Sequence, residues 1–119
     1  MNCIIYAKTN AEFLNEAFGT NYVAWMKSRW EYDQDTWVWM VRFDGRIRQD
    51  WANRIISETE IWEEYVGNEE PTYRSKKEKK YRIVVQILEG RCGREYHTLG
   101  KFKYDYEKST IGRHVLIKV

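Results

Sequence analysis

Thr36-Trp37-Val38-Trp39-Met40-Val41-Arg42-Phe43, followed by Asp44-Gly45 and then Arg46-Ile47-Arg48-Gln49-Asp50-Trp51, is the stretch on which the reading of the fold turns. It concentrates β-branched and aromatic residues, the composition that suits a packed, pleated strand. Asp-Gly between two such runs signals a hairpin, because a type I′ turn needs positive φ at both central positions. A two-residue turn sets Phe43 opposite Arg46, Val41 opposite Arg48 and Trp39 opposite Asp50. Alternation then places Trp37, Trp39, Val41 and Phe43 on one face beside Arg46 and Arg48, with Val38, Met40, Ile47 and Trp51 on the other. Flat aromatics edged by guanidiniums suit a nucleotide-like ligand, and Trp39, Arg46 and Arg48 are the candidate binding residues of this hairpin. The same residues also suit a core over which the arginines extend their stems.

At 119 residues, the chain is expected to form one domain, residues 1–119, with a core of ordinary size. Six Trp and nine Tyr are many for that length, and such side chains concentrate in cores, interfaces and ligand pockets. They point to an oligomer with an aromatic interface. A net charge of +2 gives little electrostatic hold on a long duplex. No apolar run approaches the length of a membrane span and no leader is evident, so a cytoplasmic protein is expected. Cys3 and Cys92 are too far apart for a disulfide framework and read as thiols.

Outward from the central stretch, Asn2 to Lys8 reads as a strand. Thr9-Asn10-Ala11-Glu12 is a capping box, with Phe13, Leu14, Ala17 and Phe18 on one helical face and Gly19 as the stop. The same grammar recurs at Ser57-Glu58-Thr59-Glu60, followed by Ile61, Trp62, Tyr65, Val66 and Gly67, and predicts a second helix. Trp25 to Tyr32 reads as a strand turning at Asp33-Gln34-Asp35. Asn68 to Lys80, with Pro71 and the run Lys76-Lys77-Glu78-Lys79-Lys80, reads as a solvated linker. Tyr81 to Leu88 and Arg94 to Tyr104 are paired strands joined at Gly90-Arg91-Cys92-Gly93, with a bulge at Gly100. His114 to Val119 is the last strand. The expected class is α+β: a mostly antiparallel sheet of about six strands with two short amphipathic helices.

Catalytic chemistry is sparse. His97 and His114 lack ligand spacing, Cys92 with His97 suits a turn thiol and a surface His, and Glu63-Glu64 and Glu69-Glu70 read as solvated faces. No Gly-rich phosphate loop opens a helix. No enzyme activity, metal or cofactor is therefore expected.

Ile5-Tyr6-Ala7-Lys8, Phe18-Gly19-Thr20-Asn21-Tyr22, Trp25-Met26-Lys27-Ser28, Trp39-Met40-Val41-Arg42-Phe43-Asp44-Gly45 and the ending Ser109 to Val119 resemble phage Thoeris anti-defence proteins of the first described type. That resemblance implies a sponge that binds a cyclic ADP-ribose-type bacterial immune signal without cleaving it, in the cytoplasm of an infected host. It implies a dimer or hexamer with a second site for cyclic oligonucleotides, and no partnership with membranes or long nucleic acid. It assigns a phosphate contact to Arg113 and the second nucleotide site to Lys27 and Arg29.

A rival reading takes Tyr81 to Val119 as a small β-rich nucleic-acid-binding module with Arg82, Arg91, Arg94, Lys101 and Lys103 as its basic surface. A third is an inhibitory protein that works through its aromatic surface alone.

Overall fold

A computed structural model describes residues 4–48, 50–68 and 78–119. Its elements are β1 (Ile4–Tyr6), α1 (Asn10–Phe18), β2 (Arg29–Asp33), β3 (Thr36–Val41), β4 (Ile47–Arg48), β5 (Trp51–Ser57), β6 (Glu60–Tyr65), β7 (Tyr81–Gly90), β8 (Gly93–Tyr104) and β9 (Arg113–Lys118). They form one sheet in the order β2-β3-β7-β8-β9-β6-β5-β4, with β1 added alongside β8. β3 and β7 run parallel and the other pairs antiparallel. The domain is thus mostly β with a mixed sheet, and the expected α+β class with two helices and about six strands is corrected.

The central run is a strand, as its composition predicts, but it forms no hairpin with the segment after it. β3 pairs with β2 on one side and β7 on the other, so Trp39 lies opposite Arg29 and Val84, away from Asp50. The turn chemistry explains this. Only Gly45 has positive φ at the Asp44-Gly45 corner, so the two left-handed residues of a type I′ turn are missing. Asp44 Oδ1 instead accepts from the Arg46 amide at 3.1 Å, a side-chain turn that directs the chain away from β3.

The predicted second helix is the β5–β6 hairpin. Ser57 does offer its hydroxyl to a nearby amide, but that amide is Thr59's, two residues on, at 3.2 Å. The same polar group can close a turn or cap a helix, and here pairing of β6 with both β5 and β9 decides. The first helix forms where predicted. Thr9 Oγ1 accepts from the Glu12 amide at 3.1 Å, and Glu12 accepts from the Lys8 amide at 2.7 Å, one residue before the cap. Gly19 ends the helix in the left-handed region. The bulge at Gly100 is present, with φ at 133° and a register shift in the β7–β8 ladder.

Alternation along β3 divides two cores. Val38 and Met40 join Phe13, Leu14, Val85, Ile87 and Tyr96 beneath α1. Trp39 and Val41 join Ile61, Val84, Phe102, Tyr104 and Leu116 on the opposite face. β3 is buried on both sides, which explains its near-continuous apolar run.

Most of the expected linker, residues 69–77 with Pro71, lies outside the described residues, as does Cys3. Glu78 and Lys79 are described and are not a solvated loop. Both are half-buried, and Lys79 donates to the carbonyls of Asp33 and Gln34 at 2.8 Å each. Among the described residues no helix is long and apolar enough to cross a membrane.

Gly45→Val is expected to lower stability by about 1 kcal/mol or more, because φ at +82° strains a β-branched residue even in open space. Gly112→Ala, with no positive φ and nothing within 4 Å of the added carbon, is expected to be neutral. Urea unfolding of both variants checks the contrast; equal midpoints would contradict it.

Candidate functional site: a buried ionic cluster on the concave face

β7 and β6 are three places apart in the sheet order. In a flat sheet that is roughly 14 Å, beyond the reach of an arginine and a glutamate together. Yet Arg82 of β7 bonds Glu63 of β6 at 3.2 Å. The sheet is therefore rolled, and the Trp39–Leu116 core face is its inside.

Five ionisable side chains meet there. Arg82, fully buried, donates from Nη2 to Glu63 and to Glu78 at 3.2 and 3.1 Å. Arg29 of β2 donates to Glu78 at 3.1 Å. His114, opposite Glu63 in the β6–β9 ladder, places Nδ1 at 3.0 Å from Glu63 and 3.8 Å from Glu78. Arg82 Nε and Nη1 have no oxygen partner, and its guanidinium lies 4.6 Å over the Trp39 ring, whose electron-rich face receives the charge. Two guanidiniums and two carboxylates balance without His114, and breaking such a buried set leaves an uncompensated charge.

Burial alone would push the Glu63 carboxyl up. The Arg82 charge, the His114 hydrogen bond and Arg29 outweigh it and hold the carboxyl down to about 2. Burial also works against the Arg82 charge, but Glu63 and Glu78 raise its pKa above the ordinary arginine value. Glu63 is thus a recessed, ionised acceptor at any physiological pH.

Around this charge stand aromatic rings and one free acceptor. His114 packs against Trp51 at 5.2 Å and Tyr104 at 5.4 Å, and Trp51 meets Tyr65 edge-on at 5.5 Å. Asn53 pairs with Glu63 across the β5–β6 ladder, and its Oδ1 is buried without a hydrogen-bond partner. An orphaned buried acceptor costs about 1–3 kcal/mol, so a donor arriving there is favoured. Among the described residues no group of His, Cys, Asp or Glu could hold a metal.

Of the residues singled out from sequence, Arg29 belongs to the cluster. Trp39 touches it only from below, 2% exposed under Arg82 and closed to a stacking ligand. Arg46 sits in the exposed turn, paired with Asp44 at 3.1 Å. Arg48 is on β4, pairing with Trp51, and its side chain is outside the described residues. Lys27 is exposed in the loop before β2. Arg113 is one residue from His114 and so faces the other way. It bonds Glu64 through Nε at 2.9 Å and Nη2 at 2.6 Å and covers the Trp62 ring at 4.2 Å. The hairpin site of Trp39, Arg46 and Arg48 is not assembled.

The cluster's other members were misread for one reason. Glu63-Glu64 looked like a solvated helical face, whereas strand alternation sends Glu63 inward and Glu64 outward. Arg82 counted only as part of a basic surface, although it lies within the most apolar strand of the second half of the chain. A polar residue between two apolar ones, as in Tyr81-Arg82-Ile83, was the available signal.

The fold is thus a rolled, mostly antiparallel sheet whose concave face carries a balanced ionic cluster and aromatic rings. The family model described as "SET and RING associated domain" (SRA) matches residues 4–117, and the chain belongs to that family. A solved structure similar to it is "The 5-Hydroxymethylcytosine-Specific Restriction Enzyme AbaSI", with a TM-score of 0.71 and 21% identity over 99% of this chain. The chain spans 38% of that enzyme's length, and at this identity the likeness shows the fold alone. No curated protein matches the chain. Family membership overturns the sponge reading: the cyclic ADP-ribose-type and cyclic oligonucleotide partners, and the expected absence of long nucleic acid, are set aside.

Because Glu63 is depressed in the fold, its contribution is full above its unfolded value near 4.5 and is lost as pH falls towards 2. Stability is expected to drop across that window by on the order of 3 kcal/mol. Glu63→Gln should flatten this part of the profile. Chemical unfolding of both proteins between pH 5 and 2 checks it, and parallel profiles would contradict the assignment.

Proposed function

We propose that this chain is a DNA-binding domain that recognises a modified cytosine and holds it in the concave site. SRA domains bind DNA at modified cytosine, and the similar solved structure carries a 5-hydroxymethylcytosine-specific enzyme's name. The observation that carries the reading is Asn53 Oδ1, buried and unpartnered, beside the ionised Glu63. Cytosine differs from thymine in offering an exocyclic amine, and a carboxylate or amide oxygen is what accepts from it. His114 and Trp51 supply flat surfaces beside those acceptors, with Tyr104 packed behind His114.

Glu63 and His114 are only 14% and 19% exposed in their side chains, too recessed for the edge of a base still stacked in a duplex. The base therefore leaves the stack to reach them, at a cost of a few kcal/mol that its contacts and stacking offset. In this reading the chain binds and does not cut.

The test uses three duplexes of one sequence, bearing a single cytosine, 5-methylcytosine or 5-hydroxymethylcytosine. Wild-type protein is expected to prefer a modified duplex. Asn53→Ala should weaken that binding by about 10-fold, the cost of one hydrogen bond to a buried group; because all three bases carry the exocyclic amine, the preference among them should change less than the affinity. Glu63→Gln should weaken it further, with melting temperature measured alongside because Glu63 also supports the fold. Equal affinity for the three duplexes, or full affinity in Asn53→Ala, would contradict the reading.

A further inference from the structure

Across the sheet from the ionic cluster lies a second charged surface. Tyr81 pairs with Lys103, and Ile83 with Lys101, so both lysines share the convex face with Tyr81. Lys101 Nζ lies 4.2 Å from the Tyr81 ring centroid and Lys80 Nζ lies 5.4 Å from it. All three lysines are exposed. Among the described residues no carboxylate comes within 4.0 Å of any of them. Lys79, Arg29, Arg42, Arg46, Arg54, Arg82 and Arg113 are each paired with a carboxylate, whereas these three lysines gather around one ring without one. The carboxylate at the end of β8, Asp105, is turned to its own loop and accepts from the amides of Glu107 and Lys108 at 3.0 Å each.

Two ammoniums drawn to one ring repel each other, and an arriving anion relieves that repulsion. The spacing favours a repeating anion. Alternate residues of a strand advance about 6.7 Å, so two ammoniums on flexible stems can meet successive phosphates of one DNA strand. We propose that Lys80, Lys101 and Lys103 hold the phosphate backbone of duplex DNA, without regard to base modification. The two faces point in opposite directions, so this surface takes a stretch of duplex other than the one entering the concave site. Tyr81 holds the lysine stems in place, and the ammoniums supply the charge.

The experiment measures affinity for an unmodified duplex over a range of salt concentrations, with wild type and Lys101→Gln/Lys103→Gln. Each lost phosphate contact removes about 0.9 from the slope of log affinity against log salt, so the double variant should be shallower by about 1.8. Its melting temperature should be unchanged, because both side chains are exposed. A modified-to-unmodified affinity ratio equal to wild type would place the loss outside the concave site and support the proposal. Equal slopes would overturn it, and would be the result if an acidic protein surface were the true occupant. A wild-type ratio of one would defeat the modified-cytosine reading yet leave the slope comparison able to test this surface.

Discussion

The contact between Arg82 and Glu63 sets the shape of this domain. Two strands that the sheet order holds three places apart are joined by one hydrogen-bonded ion pair at 3.2 Å, which requires the sheet to roll. A buried pair of this kind is a weak source of net stability, because desolvating both charges costs about what their attraction returns. Its value is geometric. Alternative packings that separate the pair leave a bare charge in the core, at about 3–5 kcal/mol, so a flat or differently rolled sheet is excluded. Glu78 extends the constraint to β2 through Arg29, and His114 extends it to β9, so both halves of the sheet are tied to one ionic centre.

The same centre makes the concave face suitable for recognition. Ladder pairing and alternation bring Asn53, Glu63, His114, Trp51 and Tyr104 to one side, from four adjacent strands of which only β5 and β6 are joined by a tight turn. Because Arg82 already satisfies part of Glu63, the carboxylate stays ionised in a recessed setting and retains acceptor capacity on its open side. Asn53 adds a neutral acceptor that the protein itself does not use. On the convex face, Glu64 and Arg113 neutralise each other, and the unpaired lysines lie farther along, over Tyr81. Strand alternation therefore separates a balanced ionic cluster inside from the exposed lysines around Tyr81 outside.

Several local features were legible in the sequence. The capping box at Thr9 and the stop at Gly19 depend on neighbouring residues only, and α1 forms where they place it. The β7–β8 pairing and the bulge at Gly100 were likewise visible in alternation and one glycine. What failed was everything decided by partners distant in sequence. Ser57 to Tyr65 carries helix-compatible chemistry, and only pairing with β9 makes it a strand. The Asp44-Gly45 corner resembles a hairpin until the parallel β3–β7 pairing takes the edge that β4 would have used. Part of the aromatic excess fills the two cores, with Trp39, Tyr96, Tyr104, Phe13 and Phe102 buried, while Tyr6, Tyr32 and Tyr106 stay exposed. The site was hidden for the same reason: Glu63 meets His114 only through the long-range β6–β9 pairing, and Arg82 joins them only when the sheet rolls.

The central claim is that the concave ionic cluster receives a modified base. A crystal structure of the protein with a duplex carrying one 5-hydroxymethylcytosine tests it most directly. The account predicts that base outside the helical stack, its exocyclic amine within hydrogen-bond distance of Glu63 or Asn53 and its ring beside His114 and Trp51. A base still stacked in the duplex, with the concave face empty, would contradict it.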